Sequence, residues 1–299
     1  MRSKVIFIVG PTAIGKTKTA INLAKKIDGE IISCDSMQIY KGIPVLSCAP
    51  TPKNFKAIPH HLIAELSPKK EYSAAQFSKK ATSLIKKIIK RKKTPIIVGG
   101  TGLYVKALID GLFPSPKKDP VLRKKLELKA EKCTSLMLYT ELKKIDPIAS
   151  QNIHPNDTRR IIRALEIYYL TGIPMSIHKK NTKGIANTYD IQQTGLLMPR
   201  EDLYEKINRR VDKMFKDGLL DEVKRLLELR LSMTAVLAIG IKEIRGYLNG
   251  EYTLKEAKEL IKKHTRNYAK KQLTWFRRDK RIEWFSDGKS LISYCRFGK

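Results

Sequence analysis

The stretch IFIVGPTAIGKTKTA, residues 6–20, decides the fold class of this 299-residue chain. An apolar run typical of a buried parallel strand ends at Gly10, a loop of small residues follows, and a helical pattern starts at Lys16. The segment Gly10–Thr17, GPTAIGKT, satisfies G-x-x-x-x-G-K-[ST] at every fixed position, in the strand–loop–helix context that this motif requires. The sequence therefore predicts a phosphate-binding loop, but such a loop names neither a substrate nor a reaction.

This phosphate loop (Gly10–Thr17) combines several features that hold phosphate. Its glycines let the backbone curve so that N–H groups face the ligand, and the helix N-terminus adds partial positive charge. Lys16 supplies a point charge for the outer phosphate, and Thr17 supplies a hydroxyl ligand for Mg²⁺, the predicted cofactor. The predicted phosphate-binding residues are Gly10, Pro11, Thr12, Ala13, Ile14, Gly15, Lys16 and Thr17.

Strand and helix patterns alternate through the first 110 residues. Apolar runs at residues 30–34 and 95–98 predict two more strands, and helical patterns cover residues 73–93 and 102–110. Such alternation predicts a doubly wound parallel sheet of the α/β class.

The pattern changes at PSPKKDP, residues 114–120, after which no convincing strand occurs until residues 189–197. We therefore predict a helical insertion domain over residues 117–187 within a core domain of residues 1–116 and 188–299. The second part of the core should hold helices at residues 200–216, 219–231, 241–248 and 254–278, with a possible last strand at residues 282–285.

The charge of the chain indicates its class of partner. Lys and Arg number 60 against 29 Asp and Glu, a net charge of +31, which favours a nucleic acid over a mere solubilising lysine bias. None of the four cysteines makes a C-x-x-C pair, so neither a zinc site nor a disulfide framework is expected. No signal peptide and no membrane-span-length apolar stretch occur, so we expect a cytoplasmic protein without a membrane partner.

A P-loop protein that hydrolyses ATP needs a carboxylate at the end of a buried strand, and that carboxylate is missing here. The strand at residues 95–98 ends in Gly-Gly-Thr, and the carboxylate that follows a strand near the loop is Asp35. Because ligands of open α/β sheets bind at the carboxyl ends of strands, Asp35 should face the loop. It is either a turn former or a catalytic or Mg²⁺-binding residue. The phosphate is then more plausible as a leaving group than as the group transferred.

Four further patterns carry polar groups. VGGTGLY, residues 98–104, is either a tight turn or a second close approach of backbone to a ligand, with Thr101 as its polar handle. Arg159 and Arg163 share a helix face that is either solvated or follows phosphates. Arg210 lies at the edge of an apolar stripe, where it needs an anion partner, whereas Arg209 points the opposite way. The last long helix, with His264, Tyr268, Gln272 and Trp275 near one stripe, is interpreted as an ordinary basic amphipathic helix.

Seven segments together resemble the bacterial tRNA dimethylallyltransferase family, and they follow one another in family order over nearly the whole chain. They are GPTAIGKT, DSMQIYKG, PHHLI, VGGTGLYVKALIDGL, HPNDTRRIIRALEIY, LYEKINRRVDKMF with the following GLLDEV, and YAKKQLTWFRRD. The resemblance implies a P-loop NTPase-like core with a helical insertion that contacts tRNA. It also implies transfer of a dimethylallyl group from dimethylallyl diphosphate, with Mg²⁺, to N6 of the adenosine just 3′ of the anticodon.

The resemblance further implies functions for individual residues. The implied catalytic residues are Asp35 as the general base, with Thr12, Lys16 and Arg210 acting on the diphosphate. The implied tRNA contacts, made to the anticodon stem-loop, are Asp35, Ser36, Met37, Gln38, Thr101, Arg123, Arg159, Arg160, Ile161, Ile162 and Arg163. A monomer is expected.

The chain departs from the family pattern at two places. LSCAP, residues 46–50, replaces the usual GTAKP, and Ile241 replaces a tyrosine that could contact the RNA. Two other functions remain as alternatives: a small-molecule P-loop kinase, which leaves the +31 charge unexplained, and a non-catalytic RNA-binding protein with a relic loop.

Overall fold

The computed structural model describes residues 2–50, 58–113, 115–117, 119–180 and 182–298, those of 132–135 and 180 by their backbone alone. Pro114 and Lys118 of the predicted domain boundary thus lie outside the described residues. The chain forms two compact units. The sheet unit comprises Met1–Ile109 and Thr188–Lys299, and the helical unit comprises Asp110–Asn187.

The sheet unit is built on parallel strands, as the sequence predicts. The described strands are β1 (Lys4–Val9), β2 (Gly29–Ser33), β3 (His60–His61), β4 (Thr94–Gly99), β5 (Asp190–Leu196) and β6 (Glu283–Phe285). Their order across the sheet is β3-β2-β4-β1-β5-β6, and every described pairing is parallel. The predicted α/β class is confirmed. The sequence analysis missed β3 because a two-residue strand is too short to show a pattern.

Helices cover the sheet and make up the helical unit. The described α-helices are α1 (Lys16–Lys26), α2 (Ala74–Lys90), α3 (Gly102–Ile109), α4 (Pro120–Ile145), α5 (Pro147–Asn152), α6 (Thr158–Thr171), α7 (Met175–Lys180), α8 (Arg200–Lys216), α9 (Leu219–Leu227), α10 (Ile241–Leu248), α11 (Leu254–Phe276) and α12 (Gly288–Phe297). None of them combines the length and the apolar character that a membrane crossing requires. Helix α12 was not predicted, and α9 ends four residues before the predicted residue 231.

Local sequence explains where two of the helices begin. Ser73 and Gln76 form a capping box at the start of α2: the Gln76 N–H donates to Ser73 Oγ, and the Ser73 N–H donates to Gln76 Oε1. In the helical unit, Asp157 caps α6 by accepting from the Arg160 N–H, and Gly172 ends that helix in the left-handed conformation.

The core of the sheet unit positions the phosphate loop. Strand β1 is buried on both faces, because neighbouring strands flank it and helices cover it, and Val5–Val9 have no exposed surface. Ile6 and Ile8 share a hydrophobic cluster with Ala20 and Leu23 of α1. The end of β1 and the start of α1, which bracket the loop, are therefore fixed by packing.

Candidate active site

The phosphate loop connects the carboxyl end of β1 to the N-terminus of α1. Gly10 has φ +138°, and a Cβ added there would lie 2.8 Å from the backbone oxygen of Leu196. A larger residue would be strained and would also collide with β5. At the other end Gly15, in the left-handed region, precedes the first turn of α1. The backbone conformation therefore explains why glycine occupies these two positions of the loop.

Lys16 folds back over the loop. Its ammonium Nζ donates to the backbone oxygens of Gly10 (2.9 Å) and Pro11 (2.6 Å). Removal from water lowers the pKa of Lys16 to about 7; the Asp35 carboxylate opposes this shift and the Arg210 guanidinium adds to it. Because neutral carbonyl oxygens compensate the ammonium poorly, an anion bound in the loop would favour the charged form.

Asp35 lies two residues beyond β2, at the carboxyl edge of the sheet. Its Oδ1 accepts from the backbone N–H groups of Met37 (2.8 Å) and Gln38 (3.4 Å). The turn-forming interpretation is therefore correct for one oxygen of this carboxylate. The other oxygen, Oδ2, is left for a different partner, so both interpretations can hold for the same residue.

A cavity of about 1090 Å³ joins the loop to Asp35 and to helices α8 and α11. The predicted site residues that line it are Thr12, Ala13, Ile14, Gly15, Lys16, Thr17, Asp35, Ser36, Met37, Gln38 and Arg210. The described residues that line the cavity do not include Gly10, Pro11 and Thr101. The volume is at the upper end of the range for small-ligand pockets.

Arg210 is held on two sides by other residues of the cavity. Its Nη1 donates to Thr12 Oγ1 (3.0 Å), and its Nε donates to Cys48 Sγ (2.8 Å). The remaining N–H groups of the guanidinium fork are available to an anion beside the loop. Arg209 is exposed and pairs with Glu205, but it also lines the cavity, so its predicted opposite direction does not take it away from the site.

Thr101 supports the Asp35 segment from behind. Its Oγ1 accepts from the Ser36 N–H (3.2 Å), and its own N–H donates to the backbone oxygen of Cys34 (3.3 Å). The neighbouring glycines lie close to protein atoms: a Cβ on Gly99 would lie 2.0 Å from Cys34 O, and one on Gly100 would lie 2.1 Å from Gln272 Nε2. These contacts alone require both glycines, but Gly99 also lines the cavity, so the approach of this backbone to a ligand stays a prediction.

Helix α11 contributes two residues that the sequence analysis did not assign to the site. Gln272 Oε1 accepts from the Thr12 N–H (2.8 Å), and Gln272 Nε2 donates to Gly100 O (2.9 Å). Burial raises the pKa of Tyr268, and the nearby Asp35 carboxylate raises it further. Their i, i+4 spacing on the apolar stripe was the sequence signal that could have identified them, because a polar amide on a buried helix face needs hydrogen-bond partners.

An apolar wall continues the cavity beyond Arg210. Its members are Leu46, Val211, Met214, Ala238, Ile239 and Ile261. Met214 lies one helical turn after Arg210 on α8, so apolar surface directly follows the cationic end. This arrangement suits a ligand with an anionic head and a short hydrocarbon tail.

The departures from the family pattern are buried or half-buried. The Leu46 N–H donates to the buried Glu222 carboxylate (2.7 Å), and Cys48 contacts Arg210 as described above. Ile241, at the start of α10, has only 2% of its surface exposed. Its side chain is therefore a core residue, and the loss of an RNA contact through replacement of the tyrosine stays a prediction.

A magnesium ion would find an oxygen donor in this cavity. Thr17, which carries the predicted hydroxyl ligand, is among the residues that line it. Within the described residues no cluster of three or more His, Cys, Asp or Glu side chains is suited to hold a metal. This donor set fits Mg²⁺ bound largely through substrate phosphates, with few protein ligands.

The predicted arginines of the helical unit are of two kinds, those that bind a buried carboxylate and those that are exposed. Arg123 and Arg163 each donate to the fully buried carboxylate of Glu166 at 2.6 Å. Burial alone would raise the pKa of Glu166, but these hydrogen bonds hold it below its usual value. Arg159 and Arg160 are exposed, and Arg160 pairs with Asp157.

Ile161 and Ile162 belong to the core of the helical unit. They are 0% and 5% exposed and pack in a cluster with Leu138, Leu142 and Leu165. Their side chains have no surface to offer an RNA, so we remove them from the predicted tRNA contacts.

Comparison with known proteins gives a consistent result. A model of the IPP transferase family matches residues 38–279. A tRNA dimethylallyltransferase of Carboxydothermus hydrogenoformans is 52% identical over 294 residues, covering 98% of this chain and 94% of its own. One of Halothermothrix orenii is 47% identical over 287 residues, covering 95% and 88%.

Solved structures agree with these relatives. The full-length tRNA isopentenylpyrophosphate transferase of Bacillus halodurans superposes with a TM-score of 0.72 at 42% identity, covering 98% of this chain and 94% of its own. A eukaryotic dimethylallyltransferase acting on tRNA superposes with a TM-score of 0.79 at 31% identity, covering 98% and 76%. The names of these proteins match the transferase interpretation of the sequence and not the kinase alternative.

Proposed function

Because the chain belongs to the IPP transferase family, we propose that it is a tRNA dimethylallyltransferase. It transfers the dimethylallyl group of dimethylallyl diphosphate to N6 of the adenosine immediately 3′ of the anticodon, in tRNAs that read codons starting with U. The products are N6-isopentenyladenosine and diphosphate. One observation carries the proposal: the phosphate loop, Asp35, Arg210 and an apolar wall line the same cavity.

The leaving group is stabilised by cations that are already in position. As N6 attacks the allylic carbon, the carbon–oxygen bond to the diphosphate breaks and negative charge develops on the departing oxygens. Lys16 and the free N–H groups of Arg210 face the space where this charge forms. Fixed donors of this kind stabilise a transition state more than a ground state, because they need no reorganisation. When bound, Mg²⁺ held by Thr17 and the diphosphate would add positive charge to the leaving group.

The acceptor side needs a base and an unstacked adenine. An exocyclic amine loses its proton readily only as its nitrogen forms the new bond, so the Asp35 carboxylate need only accept that proton. Oδ2 serves as the acceptor, because Oδ1 is occupied by the turn. The adenine cannot enter the cavity while it is stacked, so it must be flipped out of the anticodon loop.

The remaining partners follow from charge. The net charge of +31 and the exposed Arg159 and Arg160 suit the phosphate backbone of an anticodon stem. We expect a monomer that works in the cytoplasm, where its tRNA substrate is found.

The direct test incubates the folded enzyme with unmodified tRNA, Mg²⁺ and dimethylallyl diphosphate labelled in the allyl group. We expect label in the adenosine 3′ of the anticodon, without ATP. A kinase would instead consume ATP with a small-molecule acceptor, and a relic RNA-binding protein would bind tRNA without transferring label. Absence of label from a tRNA with that adenosine would overturn the proposal.

The Lys16 ammonium makes donor binding dependent on pH. A diphosphate in the loop raises the Lys16 pKa from about 7, so binding above pH 7 takes up a proton. The contribution of the Lys16 charge to affinity is therefore fully present below pH 7 and decreases as the pH rises above it. Calorimetry at pH 8 in buffers of different ionisation enthalpy should show uptake of about one proton more than in Lys16→Arg, whose guanidinium stays charged. Equal uptake in both proteins would contradict this account.

The two kinds of arginine in the helical unit should respond differently to alanine substitution. Arg159→Ala removes an exposed cation, so tRNA affinity falls and the salt slope of log K drops by about 1, while stability stays within about 0.5 kcal/mol. Arg123→Ala removes a charged hydrogen bond from buried Glu166 and lowers the free energy of unfolding by about 1–3 kcal/mol. Urea denaturation and tRNA binding at several salt concentrations check both; identical behaviour of the two variants would refute the distinction.

A further inference from the structure

Gln272 connects two parts of the cavity that have different tasks in the proposed reaction. Its side-chain oxygen accepts from the Thr12 N–H in the phosphate loop, and its side-chain nitrogen donates to Gly100 O after β4. The residue is only 5% exposed, and a Cβ on Gly100 would lie 2.1 Å from Nε2, so the amide has little freedom to move.

On the donor side, the contact made by Gln272 leads to the diphosphate clamp. Thr12 is held through its backbone by Gln272 and through its hydroxyl by Arg210. Cys48 fixes the other edge of the same guanidinium. The direction of Arg210 therefore depends on the position of Thr12, which Gln272 sets.

On the acceptor side, the second contact leads to the base. Gly100 precedes Thr101, whose hydroxyl accepts from the Ser36 N–H directly after Asp35. Gln272 therefore hydrogen-bonds directly to Thr12, which holds the clamp residue Arg210. It is also connected to the base through Gly100, Thr101 and the Ser36 N–H. Of the natural side chains of this length, glutamine alone offers a neutral acceptor and a neutral donor at the same end.

We propose that Gln272 is a positioning residue for the transfer: it fixes Thr12 against Gly100 and so sets the separation between the arginine clamp and the Asp35 base. Its effect should appear in the chemical step, because a displacement of about 1 Å between reacting groups can cost about 100-fold in rate. The inference rests on the proposed function and adds to it a residue far from the recognised motif of the loop.

The test compares Gln272→Met, which keeps the volume but loses both hydrogen bonds, with Gln193→Met. Gln193 is equally buried on β5, and its Oε1 has no hydrogen-bond partner among the described residues. We expect single-turnover transfer of labelled dimethylallyl groups to fall about 30- to 100-fold in Gln272→Met, with the dissociation constant of dimethylallyl diphosphate within about threefold of wild type. Gln193→Met should transfer at the wild-type rate.

A second variant keeps the inference testable if Gln272→Met does not fold. Gln272→Asn retains the amide and adds no atoms, but it is one methylene too short to span both partners, so its single-turnover rate should also fall at least tenfold. A wild-type rate in either folded variant, or an equal loss in Gln193→Met, would overturn the inference. Absence of transfer by the wild-type enzyme in the same assay would overturn the proposed function and this inference together.

Discussion

Asp35→Asn should lower the single-turnover rate of dimethylallyl transfer by about 10²- to 10⁴-fold, the range in which a general base contributes. The amide oxygen of the substituted side chain can still accept from the Met37 and Gln38 N–H groups, so the turn survives. What is lost is the negative charge and the basic oxygen that takes the N6 proton. Rapid-quench measurement with saturating donor and tRNA isolates this chemical step from binding.

Two comparisons make the Asp35 result interpretable. The tRNA dissociation constant should change less than about threefold in Asp35→Asn. The negative charge that is removed does not attract the anionic RNA, so its loss should not weaken tRNA binding. Asp35→Ala loses the turn acceptor as well, so it should lose about 1 kcal/mol of stability in addition to activity. A loss of tRNA affinity as large as the loss of rate would argue against a base.

Arg210→Ala should reduce the transfer rate by about 10²- to 10³-fold, similar to the loss of one donor that faces developing charge. The guanidinium is held by Thr12 and Cys48 and presents its remaining N–H groups to the leaving diphosphate. Arg210→Lys should recover only part of the rate, because an ammonium restores charge without the planar fork. Single-turnover rates and donor dissociation constants measured side by side separate stabilisation of the transition state from simple binding.

The neighbouring Arg209 provides the matched control. Its replacement by alanine changes the net charge by the same amount. Arg209 also lines the cavity, but its side chain is exposed and pairs with Glu205 one turn earlier on α8. Arg209→Ala should therefore keep the donor affinity and the transfer rate within about twofold of wild type, as exposed ion pairs contribute little. Similar losses in both variants would mean that overall charge, and not the position of Arg210, governs the reaction.

Sequence patterns predicted those parts of the fold and the site that depend on residues close together in the chain. The start of α1 and both boundaries of α8 agree with the sequence prediction, because the 3.6-residue periodicity that indicates a helix lies within the helix itself. Strand β3 gave no comparable signal, since two residues show neither alternation nor an apolar run. Helix α9 ends early at Leu227, although the apolar pattern continues past it.

The tertiary structure also redefined residues that pattern alone had grouped together. Arg159 and Arg163 share a helix face by spacing, yet Arg163 is committed to Glu166 while Arg159 is exposed. The difference arises because a buried carboxylate must be paired, and which arginine pairs with it depends on how α4 and α6 pack.

The sequence by itself determined the phosphate loop, the carboxylate after β2 and the arginine at the edge of the stripe on α8. Each of these follows from spacing within one element, which is fixed by the geometry of a strand or a helix. Only the tertiary structure decided what holds them: Gln272 reaches Thr12 across 260 residues of chain, and Cys48 meets Arg210 across 162. Contacts at such separation depend on the packing of whole elements, and no local pattern of residues records that packing.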